Sequence, residues 1–174
     1  MKNLLPIIVF ILPFHLQAII PFLPVQHIEA EQVTFDERTV HLKGNVKVIH
    51  EIGTLACQEC RLVLDQHTKQ EGIAVREIFL QKDVNVDFTD GSSLHSDEGE
   101  INCETFDSVF RATPPRKVIY TTFTGDGKEG LPIKATSRVL RATLGKTEQG
   151  HALKSLKGEG AVNIEYLKKG EVTA

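Results

Sequence analysis

From residue 28 onward the apolar side chains alternate in short runs, with little of the three-and-four spacing of an amphipathic helix. Val40 and Leu42, Val46 and Val48, Leu62 and Leu64, Val84, Val86 and Phe88, Ile133 and Ala135, Val162 and Ile164 each keep step two. Gly, Asp and Ser collect between the runs, at separations that suit hairpins. The competing region, residues 68–80, has room for one helical turn at most. The pattern predicts an all-β protein.

The runs also recur. Leu62, Ile101 and Leu140 are 39 residues apart, as are Val84, Phe123 and Val162, and also Leu94 and Ile133. One template fits four places: apolar, any, small, two residues, variable, any, apolar. It reads Ile28, Ala30, Val33, Phe35; then Leu55, Cys57, Cys60, Leu62; then Leu94, Ser96, Gly99, Ile101; then Ile133, Ala135, Arg138, Leu140. The three-residue step from small to variable breaks period two, and a strand that changes parity at one fixed place carries a bulge or corner there. Each copy therefore predicts a bent strand and a returning strand. Such a unit cannot bury its apolar face alone, so copies stack. A barrel, a solenoid and an open roll of two sheets all satisfy this, and an open version leaves edges free to pair.

The N-terminus is made of different material. Residues 4–14 are nearly all apolar, Lys2 precedes them, and no acid or base follows until Glu29. With Leu16 and Ala18 at −3 and −1, residues 1–18 fit a secretory signal peptide. A retained anchor reaching about residue 25 is the rival, although Pro6, Pro13, Pro21 and Pro24 interrupt the apolar stretch. Residues 19–27 then read as a linker and 28–174 as one domain. Either reading places the rest of the chain outside the cytoplasm.

Net charge is −3, giving no global reason to expect nucleic acid. The distribution is uneven: residues 29–110 hold 17 acids and 7 bases, residues 134–174 hold 4 acids and 8 bases. The basic end can meet phosphates, or simply be a solvated face.

Cys57 and Cys60, in CQEC, are the conspicuous chemistry. Redox catalysis calls for a CxxC that opens a helix or faces a cation. Here it lies in a strand template, with Glu59 between the sulfurs and small residues in the equivalent slots. The reading favoured is two small residues at a bend, a candidate disulfide in an oxidising compartment. A zinc site would have to recruit Cys103 or scattered histidines (His41, His50, His67) at no recognised spacing. Residues 83–94 imitate a calcium loop but place Phe88 and Leu94 where Gly and Glu belong. TGDGKEG, residues 124–130, lacks the Ser or Thr after Lys128 that a phosphate loop uses. No metal or cofactor site is expected.

AEQVTFDERTVHLKGNVKV, residues 30–48, resembles the opening unit of the LptA/OstA family of periplasmic lipopolysaccharide-transport proteins. DVNVDFTDGSSLHSDEGEI, residues 83–101, resembles that family's following V-x-V strand, DG turn and small-Asp pair. GEGAVNIEY, residues 158–166, is similar to a last, degenerate GNV strand, so the resemblance spans about residues 28–166. It implies an antiparallel β-jellyroll open at its ends, holding acyl chains inside and joining like domains edge to edge. An inner-membrane-anchored LptC-like partner belongs to the same resemblance.

The expected acyl-facing set is Val46, Val48, Leu55, Leu62, Leu64, Val84, Val86, Leu94, Ile101, Phe123, Ile133, Leu140, Val162 and Ile164. A closed, dry core would show the same alternation. Arg138, Arg141, Lys154, Lys157, Lys168 and Lys169 are candidate phosphate contacts near the exit. The expected function is a non-enzymatic periplasmic lipopolysaccharide carrier or bridge whose partners are like domains or further copies of itself. The alternatives are a thiol–disulfide enzyme using Cys57 and Cys60, and a purely structural filament domain.

Overall fold

A computed structural model describes residues 25–50, 53–65, 74–124, 130–147 and 150–166. They form twelve strands: β1 (Val25–Glu29), β2 (Gln32–Asp36), β3 (Thr39–His50), β4 (Gly53–Asp65), β5 (Ala74–Phe88), β6 (Ser93–Asn102), β7 (Asp107–Arg111), β8 (Val118–Phe123), β9 (Pro132–Ser137), β10 (Val139–Thr147), β11 (Gly150–Glu159) and β12 (Asn163–Tyr166). Every pairing is antiparallel, and all twelve belong to one sheet. The expected all-β class is what is found. The described part of residues 68–80 is strand, and the sheet begins at Val25, inside the segment read as linker. The signal-peptide pattern lies outside the described residues.

The sheet is divided by a line of bends into two leaves. Leaf one contains β2, the starts of β3 and β5, the ends of β4 and β6, then β7, β10 and β11. Leaf two contains β1, the other ends of β3 to β6, then β8, β9 and β12. Register shifts mark the crossings, between Lys43 and Val46 in β3, Ala56 and Glu59 in β4, and Gln81 and Val84 in β5. At two of them consecutive residues take positive φ, Gly44 with Asn45 and Lys82 with Asp83. A left-handed pair swings the strand and reverses its parity. Gly44 suits its site twice over, since its φ is +76° and a Cβ there would meet the Glu31 carboxylate. Asn45 in turn donates from Nδ2 to Glu31 Oε1, tying the β1–β2 corner to the β3 bend.

Cross-strand register produces rows that run the full width of the sheet. In leaf one, Phe35, Val40, Leu62, Ile78, Ile101, Ser108, Ala142 and Leu156 stand side by side. Nearer the bend stand Val33, Leu42, Cys60, Leu80, Gly99, Phe110, Leu140 and Gly158. In leaf two the row is Ile28, Val48, Leu55, Val86, Leu94, Tyr120, Ala135 and Ile164. Closer to the bend on that side lie Val46, Cys57, Val84, Ser96, Val118 and Ser137, each 3% exposed or less. Rows from both leaves form one hydrophobic core. A single sheet can bury one of its faces this deeply only by folding over itself, so the leaves cover each other.

Asp97, at the β6 bend, fastens the β7–β8 connection beneath this fold. Its carboxylate is 9% exposed and accepts from the Thr113 amide at 2.6 Å and from Arg116 at 3.0 Å. The Arg116 side chain is mostly in water, so most of the gain comes from the amide. Asp97→Ala is expected to cost about 1–2 kcal/mol, lowering the melting temperature by about 3–6 °C. Asp97→Asn, which keeps an acceptor, should cost less; equal losses by calorimetry would show that the amide bond is unimportant.

Candidate functional site

The inner surface between the leaves is the best-defined site. Six of the fourteen expected lining residues, Val46, Leu62, Val84, Val86, Leu94 and Leu140, are buried there to 7% exposure or less. Val48, Leu55, Leu64 and Ile101 are half-buried and packed against the core. Ile133 is half-buried, paired with Thr122 and Tyr166. In leaf two exposure rises from the innermost row to Val48, Leu55 and Ile133, whereas in leaf one Val75, Cys103 and Leu144, farther from the bend than Leu62, are again only 5–8% exposed.

Three expected residues sit differently. Phe123 pairs with Pro132 and is one residue out of step with Tyr120, which carries the inward row at that place. Ile164 keeps the inward register on edge strand β12 and is 61% exposed, and Val162, just before that strand, is 52% exposed. An inward-facing residue on an edge strand has no neighbour on its far side to cover it. Sequence reasoning missed Leu42, Leu80, Phe110, Val118 and Tyr120, all buried in the same surface. Val118 and Tyr120 do alternate, but outside the 39-residue spacing; Leu80 is hidden in a run, Ile78-Phe79-Leu80, that shows no alternation.

Polar groups inside are spoken for. Ser96 Oγ donates to Glu98 O at 3.1 Å, Ser108 Oγ to Ala142 O at 3.0 Å, Ser137 Oγ to Val139 O at 2.9 Å, and Ser92 Oγ to Asp90 at 2.6 Å. With their hydrogens engaged, these hydroxyls add little polarity to a surface that is otherwise aliphatic and aromatic.

Cys57 follows the same local rule as two of those serines. Its Sγ donates to Glu59 O at 3.2 Å, the i to i+2 bond that Ser96 and Ser137 also make. At three of the bends, therefore, a small side chain caps a main-chain carbonyl. In the last copy that role falls to Ser137, with Leu140 three residues on, and not to Ala135 and Arg138. Arg138 is exposed at the bend itself. The Cys60 thiol hydrogen-bonds the Cys57 sulfur, which, with main-chain groups of Gln81 and Glu59, holds Cys57 below the usual thiol range against the opposing effect of burial. Cys60, donor of that bond and deeply buried, is pushed well above it. Both are 3% exposed and unbonded to each other. Burial, with a smaller contribution from the Glu77 charge, pushes Cys103 up to about 12.

The basic group is dispersed. Arg141 and Lys157 are cross-strand partners out of step with the inward residues Leu140, Ala142 and Leu156, which puts them on the outer face. Both hold Glu159, at 3.1 and 3.4 Å. Hydrogen bonding by Arg141 first, then its charge, keeps the Glu159 carboxyl below the usual range. Lys154 is exposed on β11, and Lys168 and Lys169 lie outside the described residues. The described four, Arg138, Arg141, Lys154 and Lys157, are spread between the bend and the outer face of β10 and β11.

Among the described residues β1, β2, β11 and β12 each pair on one side only, and of these four edge strands β2 and β12 expose large apolar side chains. On β2, Val33 and Phe35 are 49% and 59% exposed; on β12, Tyr166 is 73% exposed beside Ile164. β2 pairs only with β3, and β12 only with β9, among the described residues. No protein-family model and no curated protein matches this chain.

Proposed function

We propose that this protein is a lipid-binding carrier of the LptA/OstA type, a β-jellyroll that takes acyl chains of lipopolysaccharide between its leaves in the periplasm. The observation that carries the reading is the set of three eight-residue rows, almost wholly apolar, running across the inner face, with the leaf-two residues Val48, Leu55 and Ile133 half-buried. Eight bent paths through two facing leaves are the geometry a jellyroll would have. Lipid would enter at the half-buried ends, where Val48, Leu55 and Ile133 stand, and the leaves would part to admit it. About ten methylenes buried from water gain roughly 8 kcal/mol before ordering costs. That supports reversible holding of one chain without any catalytic group. Cys57 and Cys60 lie inside strand β4, not at a helix N-terminus of the kind that activates a catalytic thiolate.

A photo-reactive residue at position 48, 55 or 133 is expected to capture lipopolysaccharide, whereas one at Lys47, on the outer face, is not. Equal labelling inside and out, or none at all three inner positions, would overturn the carrier reading. The terminal strands dock like domains in this proposal, β2 of one copy against β12 of the next. N-terminal sequencing of the mature chain separates the free carrier from the membrane-anchored partner of the same pathway.

A further inference from the structure

The two thiols of β4 occupy a place that the lipid reading does not use. The bend of β4 lies between them. Cys57 belongs to the innermost row of leaf two, beside Val46, and Cys60 to the innermost row of leaf one, between Leu42 and Leu80. In an unbroken strand, residues three apart face opposite sides of the sheet. Here the register shift between Ala56 and Glu59 turns both inward, and the Cys60 thiol reaches the Cys57 sulfur. Elsewhere along the line of bends the corresponding pairs are Ser96 with Gly99 and Ser137 with Leu140, neither of which can cross-link.

We propose that Cys57 and Cys60 form a reversible disulfide staple across the β4 bend, made by exchange with a low-molecular-weight disulfide such as oxidised glutathione. Cys57, as thiolate, attacks one sulfur of the donor; its S–S bond breaks and one small thiol leaves, carrying off the electron pair. Cys60 then loses its proton to solvent and attacks Cys57 Sγ, releasing the second small thiol. Two protein thiols become one disulfide, and the donor takes up the two electrons and two protons. The order follows from the sites: Cys57 is the sulfur stabilised by hydrogen bonds, and Cys60 is the one aimed at it. The staple joins the innermost rows of the two leaves where they meet. The proposal is independent of what the interior holds.

The full chain is equilibrated with oxidised and reduced glutathione, quenched with acid, alkylated after unfolding and digested with trypsin. Both cysteines fall in one peptide, residues 48–61, and Cys103 in another, residues 83–111. The expected result is a peptide 48–61 that loses two hydrogens and refuses alkylation, while Cys103 alkylates fully. Cys60→Ala is expected to stop at a single glutathione adduct on Cys57. Cys57→Ser should fold, because serine makes the same carbonyl cap at 96 and 137, and should form no intramolecular bond. The proposal is overturned if both thiols alkylate at every ratio, if the bond forms to Cys103 or between chains, or if Cys57→Ser leaves Cys60 the more readily glutathionylated sulfur.

Discussion

Leu80→Ala is expected to lower stability by about 3–4 kcal/mol. Leu80 is 1% exposed and sits in the middle of its row, with Cys60 on one side and Gly99 on the other. Its loss leaves a hole that the neighbours cannot close, because the main chain on either side is fixed by the ladder. Gly99→Ala errs in the opposite direction. A Cβ there would stand 3.0 Å from two Phe110 ring carbons and 3.1 Å from Leu80 Cδ1, so the ring or the leucine must yield. That overpacking should cost about 1 kcal/mol. The two changes share one volume, so the double variant should lose clearly less than the sum of the singles, by about 0.5–1 kcal/mol. Urea unfolding of the four chains measures this. Additive losses would mean that Gly99 and Leu80 do not share packing space.

The same contact shows what alternation reveals and what it hides. Alternation located the strands and the inward face, because a residue's side of a sheet depends only on parity. It also located two bends correctly: Cys57 with Cys60 and Ser96 with Gly99 lie in matching rows, while Ala30 falls between β1 and β2. The fourth copy was displaced by two residues. Ala135 and Ser137 face the same way, so parity cannot distinguish them, and the 39-residue spacing selects Ala135. The actual step from Ser96 to Ser137 is 41 residues. What marks the bend is the hydrogen bond from the Ser137 hydroxyl to Val139 O, a polar contact that a pattern of apolar positions does not encode. The same two-residue slip explains why Leu140 falls in Cys60's row instead of Leu62's. The facing of the basic residues was not legible either. Charge counts ignore facing, and Arg141 and Lys157 alternate with inward residues, so they point out. Edge exposure was equally hidden: Val33, Phe35, Ile164 and Tyr166 look like core in sequence, and only the strand order shows that nothing lies beyond them.

If the outermost strands dock copy to copy as proposed, blocking either one alone should convert assemblies to monomers, and mixing the two blocked proteins should restore a dimer. Val33→Lys with Phe35→Lys blocks β2, and Ile164→Lys with Tyr166→Lys blocks β12. All four side chains are already between 49% and 73% exposed, so the substitutions cost the fold little. At a paired edge they place ammonium groups where apolar surface would be buried, a device by which natural edge strands resist pairing. Half-burying a phenylalanine and a valine gains roughly 2 kcal/mol, so each blocked variant should weaken assembly at least tenfold, as read by sedimentation velocity. The mixing experiment carries the sharper distinction. Each blocked chain retains the other edge intact, so pairing of unlike edges predicts a one-to-one dimer that grows no further. Pairing of like edges, β2 with β2 or β12 with β12, gives a different result: each variant alone still dimerises through its untouched edge, and mixing adds nothing. Unlike-edge contacts do not close on themselves, so the unmodified chain should form rods that lengthen with concentration. A wild-type chain that stays monomeric at every concentration reached, or a mixture that stays monomeric, removes end-to-end docking while leaving lipid capture inside a single copy to stand or fall by the cross-linking result.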